Sequence, residues 1–291
     1  MFRMLSSFLL ACAVIAAVAG CGPGADANGG DGNGAQRAEA GSELGSSSAR
    51  RDRSGRKSLA GLRSPLFRGD FRSGNLAQFA NVQCRPGRLT VASGRWARFE
   101  VREGDVEPQT GHEGRCEVIP GTEVDDGGEI WQRFAVRFGP RFSTRTWLVF
   151  NQWHANGGGG QPPLSFNVLP RSNVMVLRHG GGRPRYWRGP AIRPGWWYDF
   201  VVHIRFADDP RVGFVELWLD GRRQRMAGGG RRAFGPTSDP CVSGGCPASD
   251  ASSSVYAKFG LYRSGSDIGT VVLHGDNFLI GRTAAGVALR D

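Results

Sequence analysis

The sequence predicts an all-β protein built as an antiparallel sandwich or barrel. Apolar and polar residues alternate with a period of two along several runs, most clearly over residues 131–138, 198–206 and 212–220. Glycine, proline, asparagine and aspartate separate these runs, and Asp220-Gly221 has the composition of a tight turn. After residue 62 no stretch keeps a helical period beyond two turns, and the 45 glycines disfavour long helices.

The first 21 residues predict an export signal. Arg3 precedes an apolar segment at residues 8–18, and small residues lead to Cys21. Residues 18–21, Val-Ala-Gly-Cys, resemble a bacterial lipobox, in which cleavage exposes a cysteine that is then lipidated. The alternatives are an ordinary signal peptide or a membrane helix, for which the segment is short. We expect an exported protein that is lipid-anchored to the bacterial cell envelope through Cys21.

A tether and one domain follow the signal. Residues 22–62 are rich in Gly, Ala, Ser, Asp and Arg and have almost no large apolar residue, which predicts a disordered linker. Residues 63–291 then form the folded domain. No acidic cluster indicates a calcium site, and the sequence implies neither a metal nor another cofactor. We expect the domain to be a monomer.

The net charge restricts the partners. With 37 basic and 26 acidic residues the chain carries +11, which suits an anionic partner such as nucleic acid, anionic lipid or an acidic polysaccharide. The export signal makes nucleic acid the least expected of the three. Only two of the basic residues are lysines, Lys57 and Lys258, so the domain has a single lysine among many arginines.

Four cysteines remain in the domain. An even number in an exported protein predicts two disulfides, and four cysteines allow three pairings. Cys241 and Cys246 would close a small loop, which leaves Cys84 with Cys116. A zinc site is the competing interpretation, but the compartment is oxidising and no histidine lies close to either pair.

Two predicted strands carry polar residues in alternation. Over residues 148–154 the period of two puts Leu148, Phe150, Gln152 and His154 on one face. In the same way Arg115 and Glu117 share one face of the strand at residues 114–119. Each of these residues taken singly is more often structural than catalytic.

A third strand, residues 256–262, has an apolar face and an unusual opposite face. Ala257, Phe259 and Leu261 form the core face. The other face carries Tyr256, Lys258, Gly260 and Tyr262. Aromatic rings beside a cation and a small residue are typical of the floor of a binding groove, although tyrosines packed on a solvated strand would look the same. The three strands together favour a site.

The motifs Arg115-Cys-Glu117, Gln152-Trp-His154 and Tyr256-Ala-Lys-Phe-Gly-Leu-Tyr262 resemble, in this order, the β-jelly-roll polysaccharide lyases. The similarity is to the heparin lyase I and glucuronan lyase type, and more distantly to alginate lyases. It implies a concanavalin-like jelly-roll sandwich over most of the domain. Residues 98–102 also fit the Arg-x-Glu pattern, but we prefer Arg115 because the strand containing Trp131 follows it, as in the family.

The resemblance implies a lyase that cleaves an anionic, uronic-acid-containing polysaccharide by β-elimination. Arg115 and Gln152 would bind the carboxylate, and His154 would be the base that takes the C5 proton. Tyr262 would protonate the leaving O4, or act as both base and acid. The residues expected to bind substrate are Lys258, Glu117, Tyr256, Trp153, Arg178 and Arg185.

Two other functions compete with the lyase. A glycoside hydrolase of the same fold needs two nearby carboxylates, and the strand motif that supplies them in such hydrolases is absent. A noncatalytic carbohydrate-binding or adhesion module would keep the aromatic residues of the groove, but it would not need His154 and Tyr262 together. Only a lyase produces an unsaturated uronyl end, so its formation distinguishes a lyase from a hydrolase and from a noncatalytic module.

Overall fold

Two antiparallel sheets pack face to face in the computed structural model, which describes residues 64–92, 96–156, 161–179, 182, 185–238 and 254–288. One sheet, here called the back sheet, contains in spatial order β14 (Arg222–Arg223), β13 (Phe214–Leu219), β12 (Trp197–Arg205), β7 (Glu129–Phe138), β17 (Val271–Gly281), β4 (Trp96–Val101) and β3 (Leu89–Ala92). Two short strands pair at its sides, β1 (Phe67–Gly69) with β17 and β15 (Ala233–Phe234) with β13.

The second sheet, here called the cleft sheet, contains in spatial order β11 (Arg185–Ala191), β10 (Val174–Arg178), β9 (Leu164–Val168), β8 (Leu148–Ala155), β16 (Ser254–Arg263), β5 (Arg115–Ile119) and β2 (Asn81–Cys84). The short β6 (Glu123–Asp125) pairs with β16 beyond the end of β5. The chain crosses repeatedly between the two sheets, as in a jelly roll, so the predicted all-β sandwich is confirmed. Among the described residues the one helix is a single 3-10 turn, Ala284–Val287.

Phenylalanine rings from both sheets fill the space between them. Phe134 of β7 stacks on Phe200 of β12, with ring centroids 5.0 Å apart, and both belong to the back sheet. Phe259 of β16 stacks across the interior on Phe278 of β17 at 4.9 Å. Each such ring contributes roughly 1.5–3 kcal/mol through burial. This core fixes which face of the cleft sheet is left to meet solvent.

Local sequence signals predict the strands and one turn well. The predicted runs at 131–138, 198–206 and 212–220 fall on β7, β12 and β13. Asp220 and Gly221 both have positive φ, 50° and 73°, which is the type I′ geometry that suits a two-residue hairpin.

Cys84 and Cys116 form the predicted disulfide, between directly opposed positions of β2 and β5. Cys241 and Cys246, Cys21, the export signal and the tether lie outside the described residues. No helix of the described part of the chain is long and apolar enough to cross a membrane.

Two β-bulges alter the alternation that the sequence predicts. The β8–β9 register shifts between Val149 and Asn151, and the extra residue turns both Phe150 and Asn151 toward the interior. The expectation that Leu148 and Phe150 share a face with Gln152 is therefore wrong, because both are fully buried in the core.

The second bulge lies in β16 between Phe259 and Tyr262, and it contains Gly260. Gly260 has a φ of +144°, a conformation that side chains rarely adopt. A Cβ at this position would point at β5 and the core, 2.3 Å from the Cys116 carbonyl oxygen and 3.0 Å from the Phe99 ring. The prediction that Gly260 forms part of the groove floor is thus wrong, and its role is to let β16 lie close to β5.

Gly260→Ala is expected to lower the free energy of unfolding by about 3 kcal/mol or more, because the methyl group meets backbone that cannot move and φ becomes strained. Gly87→Ala is the matched control: Gly87 also has positive φ, +78°, but nothing lies within 4 Å of its Cβ position. It should lose only about 1 kcal/mol. Urea denaturation measures both, and equal losses would show that the close approach to β5 is not what Gly260 provides.

Candidate active site

The outward face of the cleft sheet holds a cleft of about 1070 Å³. Strands β2, β5, β8, β9, β10 and β16 supply its floor, and the chain segments beside them supply its walls. Seven of the residues predicted from the sequence line it: Arg115, Gln152, His154, Arg178, Tyr256, Lys258 and Tyr262. The antiparallel pairing of β16 with both β5 and β8 is what brings these distant parts of the chain together.

Tyr262 lies at one end of the cleft among three ring or cationic neighbours. The guanidinium carbon of Arg115 is 4.1 Å from the centre of the tyrosine ring. Trp147 meets the same ring edge-on at 4.9 Å, and the His112 ring is 6.0 Å away. The Tyr262 side chain is thus held by packing and by a cation–π contact, which fix its orientation before any ligand binds.

Beneath the floor lies the carboxylate of Glu117, which is completely buried. Gln152 Nε2 donates a 2.7 Å hydrogen bond to Glu117 Oε1, and Arg115 Nε lies 3.4 Å from Oε2. Burial raises the pKa of Glu117. The carboxyl group therefore orients both Arg115 and Gln152 from below.

Lys258 extends across the floor, almost entirely buried, and its Nζ donates to Gln83 Oε1 at 3.1 Å. Burial lowers the pKa of Lys258. Arg115 and Lys258 together make the floor of the cleft positively charged. The Glu117 carboxyl group beneath them offsets little of this charge, because burial disfavours its ionisation. An anionic group in the cleft would be attracted to this region.

His154 is a neutral imidazole with a defined tautomer. Its Nδ1 lies 3.0 Å from the Ala155 carbonyl oxygen, and because a carbonyl only accepts hydrogen bonds, Nδ1 carries the proton. Burial lowers the pKa of His154 to about 4, and the nearby charges of Lys258 and Arg115 act in the same direction. Nε2 is therefore an unprotonated acceptor at neutral pH, as a general base requires.

Tyr256 is the cross-strand neighbour of His154, and their ring centroids are 5.8 Å apart. Burial raises the pKa of Tyr256, so its hydroxyl stays protonated. The cleft thus contains two histidine–tyrosine pairs, His154 with Tyr256 and His112 with Tyr262. Lys258 and Gln152 lie between them.

His112 is a cleft residue that sequence reasoning missed. It belongs to the segment between β4 and β5, where the Glu107 backbone N–H donates to the His112 carbonyl at 2.9 Å. The fully buried Glu107 carboxylate accepts from the backbone N–H groups of Gln109 and Thr110 and so fixes this segment. Burial lowers the pKa of His112. The only sequence signal was its position three residues before Arg115.

Arg178 and Arg185, which are cross-strand neighbours, have different positions relative to the cleft. Arg178 lines the cleft and donates from Nη2 to Asn167 Oδ1 at 3.1 Å. Arg185 is exposed and is not among the residues that line the cleft. Its predicted direct contact with substrate in this cleft is therefore not supported.

Two further predicted contacts with substrate are wrong. Trp153 is 1% exposed and packs against Phe166 in the core, because alternation along β8 turns it away from Gln152 and His154. Glu117 is 0% exposed and acts from beneath the floor instead of in the cleft. The competing Arg-x-Glu segment, residues 98–102, begins on β4 of the back sheet, whereas Arg115 lines the cleft.

Comparison with known proteins agrees with this fold. Residues 71–278 match the sequence model of the family described as "Polysaccharide lyase". The alginate lyase Aly36B, solved with an alginate trisaccharide, is 16% identical, with 76% of this chain and 99% of that chain covered at a TM-score of 0.50. No curated protein sequence matches significantly.

Two more alginate lyases have lower TM-scores. For AlgAT5, from polysaccharide lyase family 7, identity is 13%, coverage is 67% of this chain and 82% of that chain, and the TM-score is 0.47. For the enzyme from Corynebacterium sp., identity is 13%, coverage is 67% and 81%, and the TM-score is 0.45.

Proposed function

The chain belongs to the polysaccharide lyase family and is a polysaccharide lyase, and from this premise we propose that its cleft binds a uronic-acid-containing polysaccharide and cleaves it by β-elimination. One observation carries the proposal. The buried guanidinium of Arg115 lies over the Tyr262 ring in a cleft that also contains a neutral, oriented histidine. A cation for the substrate carboxylate, a base and a proton donor are the three groups that this elimination needs.

The first requirement is stabilisation of negative charge. The C5 proton of a uronate lies next to a carboxylate and is poorly acidic while that carboxylate keeps its full charge. Arg115 offers a planar fork for two parallel hydrogen bonds to the carboxylate, and Gln152 has a second amide N–H beyond the one given to Glu117. Both donors are held from below, so they need little reorganisation as charge develops in the transition state.

The second requirement is removal of the C5 proton, which we assign to His154. Its Nε2 is free of a proton because Nδ1–H is committed to the Ala155 carbonyl. Its lowered pKa keeps it neutral throughout the neutral range. A pKa of about 4 makes this imidazole a weaker base than a free one, so the positioning of Nε2 and the stabilisation of the substrate carboxylate have to supply most of the rate.

The third requirement is protonation of the leaving O4, which we assign to Tyr262. Val149 is the cross-strand neighbour of Tyr262 and lies five residues before His154 along β8. Both side chains line the same cleft, so a bound sugar can lie between them. We assign base and acid to two different groups because His154 already offers a neutral, oriented imidazole, which leaves Tyr262 to act as the proton donor.

We propose in addition that the enzyme acts outside the cytoplasm, anchored by lipid at Cys21. The lipobox-like residues 18–21 support the anchor. The Cys84–Cys116 disulfide supports an oxidising compartment. The positive net charge of the chain suits an acidic polymer there.

The decisive experiment follows the ultraviolet absorbance of the unsaturated uronyl end. The purified protein is incubated with alginate, glucuronan, heparin, hyaluronan and pectate, with a neutral glucan as control. We expect absorbance to rise with at least one polyuronate and to stay flat with the neutral glucan. If none of the acidic polymers gives a rise, the uronate assignment is wrong.

A further inference from the structure

The outward face of the back sheet, opposite the catalytic cleft, carries a row of aromatic and cationic side chains. Cross-strand pairing aligns Trp197 with Arg137, Arg137 with His274 and His274 with Arg98, across β12, β7, β17 and β4. Trp96 precedes Arg98 by two residues and shares its face, since Ala97 between them is buried in the core. We call Trp96, Trp197, Arg137 and His274 the back-sheet row.

Arg137 is the centre of this row. Its guanidinium carbon is 5.0 Å from the Trp197 ring and 5.3 Å from the Trp96 ring, and the two indole rings are 6.3 Å apart. No carboxylate forms an ion pair with Arg137 within the part of the chain that the structure describes. Its planar cation is thus oriented by aromatic rings alone and keeps its capacity for bidentate hydrogen bonds.

The row continues onto a neighbouring turn. Trp196 is 61% exposed, and the guanidinium carbon of Arg193 lies 5.5 Å from its ring. The turn is attached to the end of β7 because the Gly195 N–H donates to the Phe138 carbonyl at 2.8 Å. Two tryptophans in succession, Trp196 and Trp197, therefore present indole surface to solvent.

Two acidic groups near the row are paired with arginines, whereas Asp276, two residues beyond His274 on β17, forms no ion pair within the described residues. Glu100 of β4 is buried and forms ion pairs with Arg98 and Arg102. Asp199, two residues beyond Trp197, pairs with Arg133 at 2.8 Å. The row consequently has an excess of positive charge beside exposed aromatic surface.

We propose that the back-sheet row is a second, noncatalytic binding site for an acidic polysaccharide. Indole rings offer flat apolar surface to the C–H faces of sugar rings, and arginine forks match carboxylate or sulfate groups. A neutral glycan would use the rings but leave Arg137 unpaired, so charge complementarity selects an acidic polymer. The acidity of the polymer agrees with the proposed function, but the site itself does not depend on catalysis.

The two sites lie on opposite faces of the sandwich, so a short oligosaccharide occupies only one of them. A long polymer, or a network of chains, would engage both. Binding at the row would then hold the cleft close to uncut polymer and raise its effective concentration, which typically increases avidity by a factor of about 10²–10⁴.

The test measures retention on immobilised alginate and glucuronan, with every protein carrying Tyr262→Phe so that the polymer is not degraded. Adding Trp197→Ala or Arg137→Gln is expected to weaken retention at least tenfold. Trp218→Ala is the matched control, because Trp218 is another partly exposed tryptophan of the back sheet, on β13 beside the edge strand β14. The cation next to it, Arg223, is already paired with Glu216. Trp218→Ala should change retention less than twofold.

Equal retention of the Trp197→Ala, Arg137→Gln and Trp218→Ala proteins would overturn the proposal. So would an equal loss on an immobilised neutral glucan, since that would remove the role of charge. Denaturation midpoints check that each protein is folded. The readout is binding and not absorbance, so a failure here is separate from a failure of the lyase assay.

Discussion

Replacing Tyr262 with phenylalanine is expected to lower kcat by about 10³-fold, because it removes the proton donor to O4 and nothing else. The phenylalanine ring keeps the positions of the edge contact with Trp147 and the cation–π contact with Arg115. The hydroxyl makes no hydrogen bond with other described residues, so the fold loses no partner with it. Initial rates of unsaturated uronyl formation measure the loss.

Tyr256→Phe is the matched control for this variant. Tyr256 lines the same cleft on the same strand and is likewise partly buried, but it lies at the opposite end from Arg115. The kcat of Tyr256→Phe is expected to fall by less than tenfold. Polymer binding and thermal unfolding of both variants should match those of the parent protein. Full lyase activity in Tyr262→Phe would contradict the assignment of Tyr262 as the acid.

The sequence predicts the strands that carry the site because their alternation is strong and local. Ala257, Phe259 and Leu261 are all buried, as the period of two along β16 requires. The direction of Trp153 follows from the same alternation once Gln152 and His154 face the cleft, so assigning it to substrate contradicted the pattern itself. A local period is thus a sound guide wherever the strand is regular.

The β-bulges in β8 and β16 could not be predicted from the local alternation of apolar and polar residues. One extra residue near Phe150 reverses the face of Leu148 and Val149, and a sequence of apolar residues gives no sign of it. The sequence predicts Gly260 as the small residue of a groove floor, whereas in the structure this glycine allows the backbone of β5 to approach closely. In both cases the deciding interaction is pairing with a strand that is distant in sequence.

The sequence also does not predict how deeply Glu117 is buried or where the segment that carries His112 lies. Glu117 faces the same side as Arg115, yet it is covered completely because Gln152 and Arg115 contact it from both sides. His112 enters the cleft through a chain segment that the buried Glu107 holds in place. Neither arrangement follows from a periodic pattern, because each depends on side chains from several elements meeting in space.

The identity of the base gives the second large expected effect. His154→Gln removes the basic nitrogen and preserves a polar side chain of similar size, and it is expected to lower kcat/KM by about 10²–10⁴-fold. In the parent protein kcat/KM reports the free enzyme, whose His154 has a pKa of about 4. Activity should therefore rise with pH through about 4 and stay level through neutrality, since only the neutral imidazole accepts the C5 proton.

His112→Gln is the matched change at the other histidine of the cleft. His112 lies 6.0 Å from the Tyr262 ring, but it lacks a described hydrogen bond that would fix its tautomer, so we expect a loss of about tenfold or less through weaker positioning. The comparison decides between the two histidines. A severe loss in His112→Gln with a mild one in His154→Gln would move the base to the end of the cleft occupied by Arg115 and Tyr262.

The pH profile of the parent protein gives a separate check on His154. Loss of activity as the pH is lowered through about 6.5 would argue against this residue as the base, because burial beside Lys258 and Arg115 lowers its pKa to about 4 and keeps the imidazole neutral well below pH 6.5.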